Sequence, residues 1–119
     1  MDTRARGKWG EDVALEYLMN KNYTSVAAGF RTRFGEIDLI VRDSAFIVFV
    51  EVKTRKNSNF AQAREYVGRL KQNKIRATAN IWLASHNARL QPRFDVIEVY
   101  APQGINTTAP EIIHIENAF

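Results

Sequence analysis

At 119 residues, 45% hydrophobic and 25% charged, the chain has the make-up of one globular domain spanning 1–119, which excludes collagen-like, low-complexity and wholly disordered readings. No apolar run approaches the roughly 20 residues of a membrane span, and the absence of cysteine excludes disulfide frameworks, zinc-thiolate sites and thiol nucleophiles. The polar start carries no apolar signal-peptide core, so the expectation is a soluble, cytoplasmic protein that does not engage a membrane. The formal charge is +4, from 17 basic and 13 acidic residues. It is concentrated: Lys53, Arg55, Lys56, Arg64, Arg69, Lys71, Lys74 and Arg76 face a single acid, Glu65, within the same stretch. Such a block suits a polyanion, and nucleic acid is the first partner to expect; the bland alternative is a solvated helix face.

In chain order, Trp9, Val13, Ala14, Tyr17 and Leu18 recur at helical spacing between about Thr3 and Asn20, with Thr3 as N-cap candidate and Asn20-Lys21-Asn22 as the stop. Tyr23 to Ala28 reads as a short strand closed by Gly29, and Glu36 to Val41 as a second strand apolar on both faces. Ala45 to Thr54 is the most apolar stretch, dense in β-branched and aromatic residues, and is expected to be the central strand. A loop over 56–59 precedes a helix predicted from about Ala61 to Ala84, which Gly68 weakens or interrupts. Phe94 to Tyr100 reads as a further strand. Residues 101–119 then form a peripheral loop and an edge strand at Glu111–Glu116. The fold class is α/β, a short mixed central sheet flanked by helices, in the order α-β-β-β-α-β-β.

The second and third strands carry the chemistry. Side chains alternate along a strand, so Glu36 and Asp38 share a face, as do Phe49, Glu51 and Lys53. A two-residue hairpin loop at Asp43-Ser44 sets Asp38 opposite Phe49 and diagonal to Glu51; a four-residue loop sets Asp38 directly opposite Glu51. An odd-numbered loop sends the acids to opposite faces. Carboxylates in so apolar a hairpin are expensive unless paired or metal-bound. Mg²⁺, which takes one or two carboxylates and keeps several waters, resolves the like-charge conflict, with Mn²⁺ as the alternative. Lys53 is placed to orient a water or to stabilise charge on phosphate oxygens. The competing structural reading is a Glu51–Lys53 or Glu36–Lys53 ion pair; Glu36 also has Arg55 as a candidate partner. Asp95 is expected to be structural, pairing with a neighbour such as Arg93, and the isolated His86 and His114 to have no role.

The surrounding residues narrow the choice. Gly10-Glu11 with Ala14 and Tyr17-Leu18, Gly35-Glu36-Ile37-Asp38-Leu39-Ile40, Val48-Phe49-Val50-Glu51-Val52-Lys53 with Arg55, Lys71, and Arg93-Phe94-Asp95-Val96-Ile97 follow in order from Gly7 to Val99. In these motifs the chain resembles the YraN-like family of small bacterial proteins, grouped with PD-(D/E)XK nucleases. The resemblance implies a restriction-endonuclease-like core, similar to that of archaeal Holliday junction resolvases. Asp38 and Glu51 would then be metal ligands, Lys53 the catalytic lysine, Glu11 the first-helix glutamate that completes such a site, and Lys71 a neighbour of the phosphate path. Gly29 and Ala61 depart from the family's usual asparagine and glycine, which bears on loop geometry more than on the acids. Arg31, Arg33, Arg55, Lys56, Lys71 and Lys74 are the expected nucleic-acid contacts. The expected function is a Mg²⁺-dependent, structure-selective DNA endonuclease, acting as a homodimer by family analogy. The alternatives are a catalytically silent nucleic-acid-binding module and an adaptor for an acidic protein.

Overall fold

The computed structural model describes residues 3–56, 67–86 and 89–119. Helix α1 (Thr3–Asn20) ends where the stop was expected. The backbone N–H groups of Lys21 and Tyr23 both donate to Leu18 O, at 3.0 and 3.1 Å, and Asn22 takes the left-handed conformation (φ 72°) that asparagine adopts more readily than most residues. Three strands follow, β1 (Thr24–Thr32), β2 (Gly35–Arg42) and β3 (Phe46–Arg55). Helix α2 (Arg69–His86) then leads to β4 (Gln91–Tyr100), and a 3-10 turn at Gly104–Asn106 precedes β5 (Glu111–Ile115). The sheet order is β1-β2-β3-β4-β5. Pairing is antiparallel except between β3 and β4, which run parallel. This is the expected α/β mixed sheet with β3 at its centre and β5 at its edge.

Two boundaries correct the sequence reading. Gly29 does not close β1: with φ +64° it is accommodated within a longer strand that continues to Thr32. Glycine's freedom at positive φ lets the ladder pass through it. Helix α2 begins immediately after Gly68, whose carbonyl accepts from Gln72 N–H at 2.9 Å; Val67 and Gly68 are not helical. The helix expected from Ala61 therefore starts later, and its 61–66 portion lies outside the described residues, as do Phe60, Arg64 and Glu65.

The alternation of β3 divides the core. Val48 and Val50 point to α1 and pack with Ala14, Leu18, Leu39 and Val99. Ile47 and Phe49 point to α2 and pack with Ile40, Ile75, Ala79, Trp82 and Val96. Each such side chain contributes about 1.5–3 kcal/mol when fully buried, which fixes the register of β3, since a slip of one residue would turn both sets outward. Continued along the strand, the same alternation puts Glu51 and Lys53 on the α2 face. Gly10 lets α1 lie close to β3, because a Cβ there would fall on Thr54 Oγ1.

The sheet's far edge is fastened by a buried polar network. Asp95, fully buried, accepts from Arg93 Nε (2.9 Å) and Nη2 (2.8 Å), from His114 Nε2 (2.7 Å) and from Asn117 N–H (3.0 Å). Burial alone would raise this carboxyl; the hydrogen bonds from His114 and Arg93 outweigh it and hold it below its ordinary value. Asp95 is structural as expected. His114 is a correction, since its side chain is buried on Asp95 and lies 3.3 Å from Lys21 Nζ through Nδ1. With a cation and an acid on opposite sides of the ring, Nε2 carries the proton and Nδ1 accepts.

Candidate metal and nucleic-acid site

The hairpin between β2 and β3 decides whether the two acids meet. Asp43 Oδ1 accepts from the N–H groups of Ala45 and Phe46, both at 2.8 Å, an Asx-type turn. These two bonds hold the Asp43 carboxyl below its ordinary value. The last ladder pair is Arg42↔Ile47, so four residues make the turn and the register runs through Leu39↔Val50. The ladder ends there, one residue short of Asp38 and Glu51, with the even parity that a four-residue loop gives; Phe49 pairs with Ile40, so the Asp38–Phe49 pairing of a two-residue loop at Asp43-Ser44 is not formed. Asp38 Oδ2 accepts from Val52 N–H at 2.8 Å, which holds the carboxylate against β3.

Glu51 is 7% exposed, so its charge needs a partner. That partner is Lys71, from the first turn of α2, with Nζ 2.5 Å from Oε1. The cation that Glu51 holds is thus Lys71, which sequence reasoning had placed only near the phosphate path. Burial lowers the Lys71 ammonium, but its hydrogen bond to Glu51 and the charges of Glu51 and Asp38 more than compensate, and its pKa is raised. The Asp38 carboxyl is pushed up to about 7, first by burial and then by the facing charge of Glu51, against the lowering effect of the Val52 N–H. Glu11, from α1, is also raised, by burial and by the charge of Glu36, with a smaller effect from Glu51. Four acids from three elements therefore share one field: Glu11, Glu36, Asp38 and Glu51.

Glu36 does not pair with Arg55 as one expectation had it. Its carboxylate accepts from Arg31 Nη2 at 2.8 Å on the surface, so Arg31 is engaged at the rim. Arg33 lies over the Phe34 ring at 4.8 Å in the β1–β2 turn. Lys74 is exposed on α2, with its Cβ 3.5 Å from the place a Gly35 side chain would occupy, so it projects beside the start of β2. Lys53 follows Glu51 on the same face, and the parallel register sets it beside Glu98. Arg55 Nε lies 3.4 Å from Glu98 Oε2, and Lys56 is exposed at the strand's end.

Glu98 and Tyr100 were missed. Glu98 is 2% exposed and accepts from Tyr100 OH at 2.9 Å as well as from Arg55. The signal was present, as Glu98 is an acid inside an apolar strand just as Glu51 is. What the sequence alone did not supply was the β3–β4 register that stacks it against Lys53 and Arg55. The donor set fits a small hard cation. Two facing carboxylates, one of them with its pKa raised by burial and by the other's charge, match the one or two protein carboxylates Mg²⁺ requires. Among the described residues, no three acidic or histidine side chains converge into a complete all-protein cage.

A five-stranded mixed sheet with facing acids on its central hairpin and cations at the rim defines a small α/β protein built around a charged site. The model of the uncharacterised protein family UPF0102 matches residues 10–99, and the chain belongs to that family. It is 45% identical over 115 residues to the UPF0102 protein TTE1452 of Caldanaerobacter subterraneus subsp. tengcongensis, covering 95% of this chain and 93% of that one. UPF0102 proteins of Geotalea daltonii (40% identical; 99% and 91% covered) and Acetivibrio thermocellus (42%; 98% and 92%) are similar to it over the same extent. No helix among the described residues is long and apolar enough to cross a membrane.

Proposed function

We propose that the chain is a metal-dependent nuclease that hydrolyses phosphodiester bonds of nucleic acid, with DNA as substrate and Mg²⁺ or Mn²⁺ as the cofactor. The observation that carries this reading is that Asp38 and the buried Glu51 come together just past the end of the β2–β3 ladder, with the charge of Glu51 raising the Asp38 carboxyl, so that Lys71 alone leaves carboxylate charge for a further cation to join. Asp38 and Glu51 would hold the metal, which when bound supplies a polarised phosphate oxygen and a water of lowered pKa. Lys53, next on the same strand face, stabilises charge developing on the phosphate oxygens. Glu11 contributes a further carboxylate to the field. Lys71 holds Glu51 in place while the site is empty of substrate and lends positive charge to an arriving phosphate. Lys74, Arg31 and Arg33 line the approach as backbone contacts, which give affinity without sequence readout. A chain of this size has little surface left for reading bases, so the reading extends to branched or broken DNA recognised by shape.

One observation favours a second reading, a binding module that does not turn over: Glu51 is already neutralised by Lys71. Incubating the protein with branched, nicked and single-stranded DNA in Mg²⁺ or Mn²⁺ separates the two. Cleavage lost in Asp38→Asn and Lys53→Met supports the nuclease. Metal-independent binding to every substrate, with no product and with Asp38→Asn unchanged, overturns it in favour of the module.

A further inference from the structure

A cavity of about 420 Å³ lies beyond the C-terminal end of β3, lined by Arg6 of α1, Arg55, Lys56 and the turn formed by residues 101–104. The turn is tied to the strand, since Ala101 N–H donates to Arg55 O at 2.7 Å. Its polar lining consists of cations and Gln103; no carboxylate is among the described residues that line it. Arg55 is the unusual member. Its Nε leans on Glu98 at a long 3.4 Å, and its Nη2 is buried with no hydrogen-bond partner among the described residues. Buried guanidinium donors are ordinarily satisfied; among the described residues Glu98 is the acceptor that Arg55 has, and the rest of its guanidinium borders the cavity.

Charge identifies the ligand. Among the described residues, Arg6, Arg55 and Lys56 bring three positive charges and Glu98, against Arg55, one negative, which leaves two uncompensated. A phosphomonoester carries about −1.5 to −2 near neutral pH and three acceptor oxygens, whereas an internal phosphodiester carries one charge and is flanked by sugar on both sides. We propose that this cavity receives the terminal phosphate of a nucleic-acid strand, with Arg55, Arg6 and Lys56 as its binding residues. The proposal rests on the nuclease reading above and names the part of the substrate that reading leaves open. Arg55 lies four residues past Glu51 on the same strand face, roughly 13 Å away at the rise of a strand. A strand end held there sets the scissile bond a few nucleotides inward.

The test is fluorescence-anisotropy binding of one oligonucleotide bearing a 5′-phosphate, a 3′-phosphate or neither, in EDTA, alongside a titration with inorganic phosphate. One terminal phosphate should tighten binding roughly tenfold. Arg6→Gln/Lys56→Gln, both away from the core, should erase that gain, so that the phosphorylated and unphosphorylated oligonucleotides bind the variant equally, each more weakly than the unphosphorylated one binds wild type. Arg55→Lys, which keeps the charge on Glu98 and removes the planar guanidinium fork from the cavity wall, should erase most of it as well. Equal affinity for all three oligonucleotides overturns the proposal and leaves the nuclease reading standing. Inorganic phosphate bound and then lost in Arg6→Gln/Lys56→Gln, with no oligonucleotide bound at all, overturns the strand end as occupant together with the nucleic-acid reading. Silence in every arm overturns both.

Discussion

Replacing Asp38 by asparagine should stabilise the protein at pH 8 and leave it nearly unchanged at pH 4. In the folded chain the Asp38 carboxyl titrates at about 7 instead of its ordinary 3.8, so the folded state holds a proton that the unfolded state releases. Stability associated with this group is complete below pH 4, falls as pH rises, and is fully lost above pH 7. Three units at about 1.36 kcal/mol each set an upper figure of ~4 kcal/mol, and because Glu51 shares the effect, about 2–4 kcal/mol is expected. The asparagine keeps an oxygen to accept from Val52 N–H and leaves the Lys71–Glu51 ion pair in place, giving up only the smaller attraction of the Asp38 charge for Lys71. Urea denaturation followed by tryptophan fluorescence, with Trp82 in the core, gives the difference between Asp38→Asn and the wild-type chain at each pH. The advantage of the variant should grow steadily from pH 4 to pH 7 and then level off. If Asp38→Asn is the less stable protein at pH 8 without metal, Asp38 is a partner in a structural ion pair and the reasoning fails.

Lys71→Gln should tighten Mn²⁺ binding severalfold, by releasing Glu51 and removing a cation from the site, while weakening DNA binding; calorimetry and anisotropy on one preparation read both, and weaker metal binding would assign Lys71 a role in building the site. Because Lys71 is the partner of a Glu51 that is 7% exposed, its loss should destabilise the fold by about 1–3 kcal/mol. Asp95→Ala should be more damaging, about 3–5 kcal/mol, because it strands the Arg93 guanidinium without its principal partner; a denaturation midpoint within error of wild type would refute that. Gly10→Ala should destabilise the chain because its Cβ meets Thr54 Oγ1, and Thr54→Ala in the same chain should recover most of the loss; no recovery would place the damage elsewhere.

Local patterns carried the sequence reading far. The limits of α1 follow from its apolar spacing and its asparagine stop, and the position of β3 at the sheet's centre follows from the β-branched and aromatic run Ile47–Val50. The meeting of Asp38 with Glu51 was legible as a condition on the parity of one loop, and the Asx turn at Asp43 meets that condition. What was not legible depends on contacts distant in sequence. The parallel pairing of β3 with β4, across α2, brings Glu98 beside Lys53 and Arg55, and no local spacing encodes that register. The docking of β5 likewise turns His114 from an isolated histidine into a donor to Asp95. Gly29 was read as a strand end because glycine usually interrupts strands, yet here its positive φ is carried within one.

The central claim is that Asp38 and Glu51 form a divalent cation site, and calorimetric titration of Mg²⁺ and Mn²⁺ into the wild-type chain and into Asp38→Asn/Glu51→Gln tests it most directly. The account predicts one site in the wild type at pH 8, weakening about tenfold for each pH unit below 7 as the Asp38 proton competes, and no binding in the double variant. Equal binding by both proteins, or none by the wild type at pH 8, would contradict it.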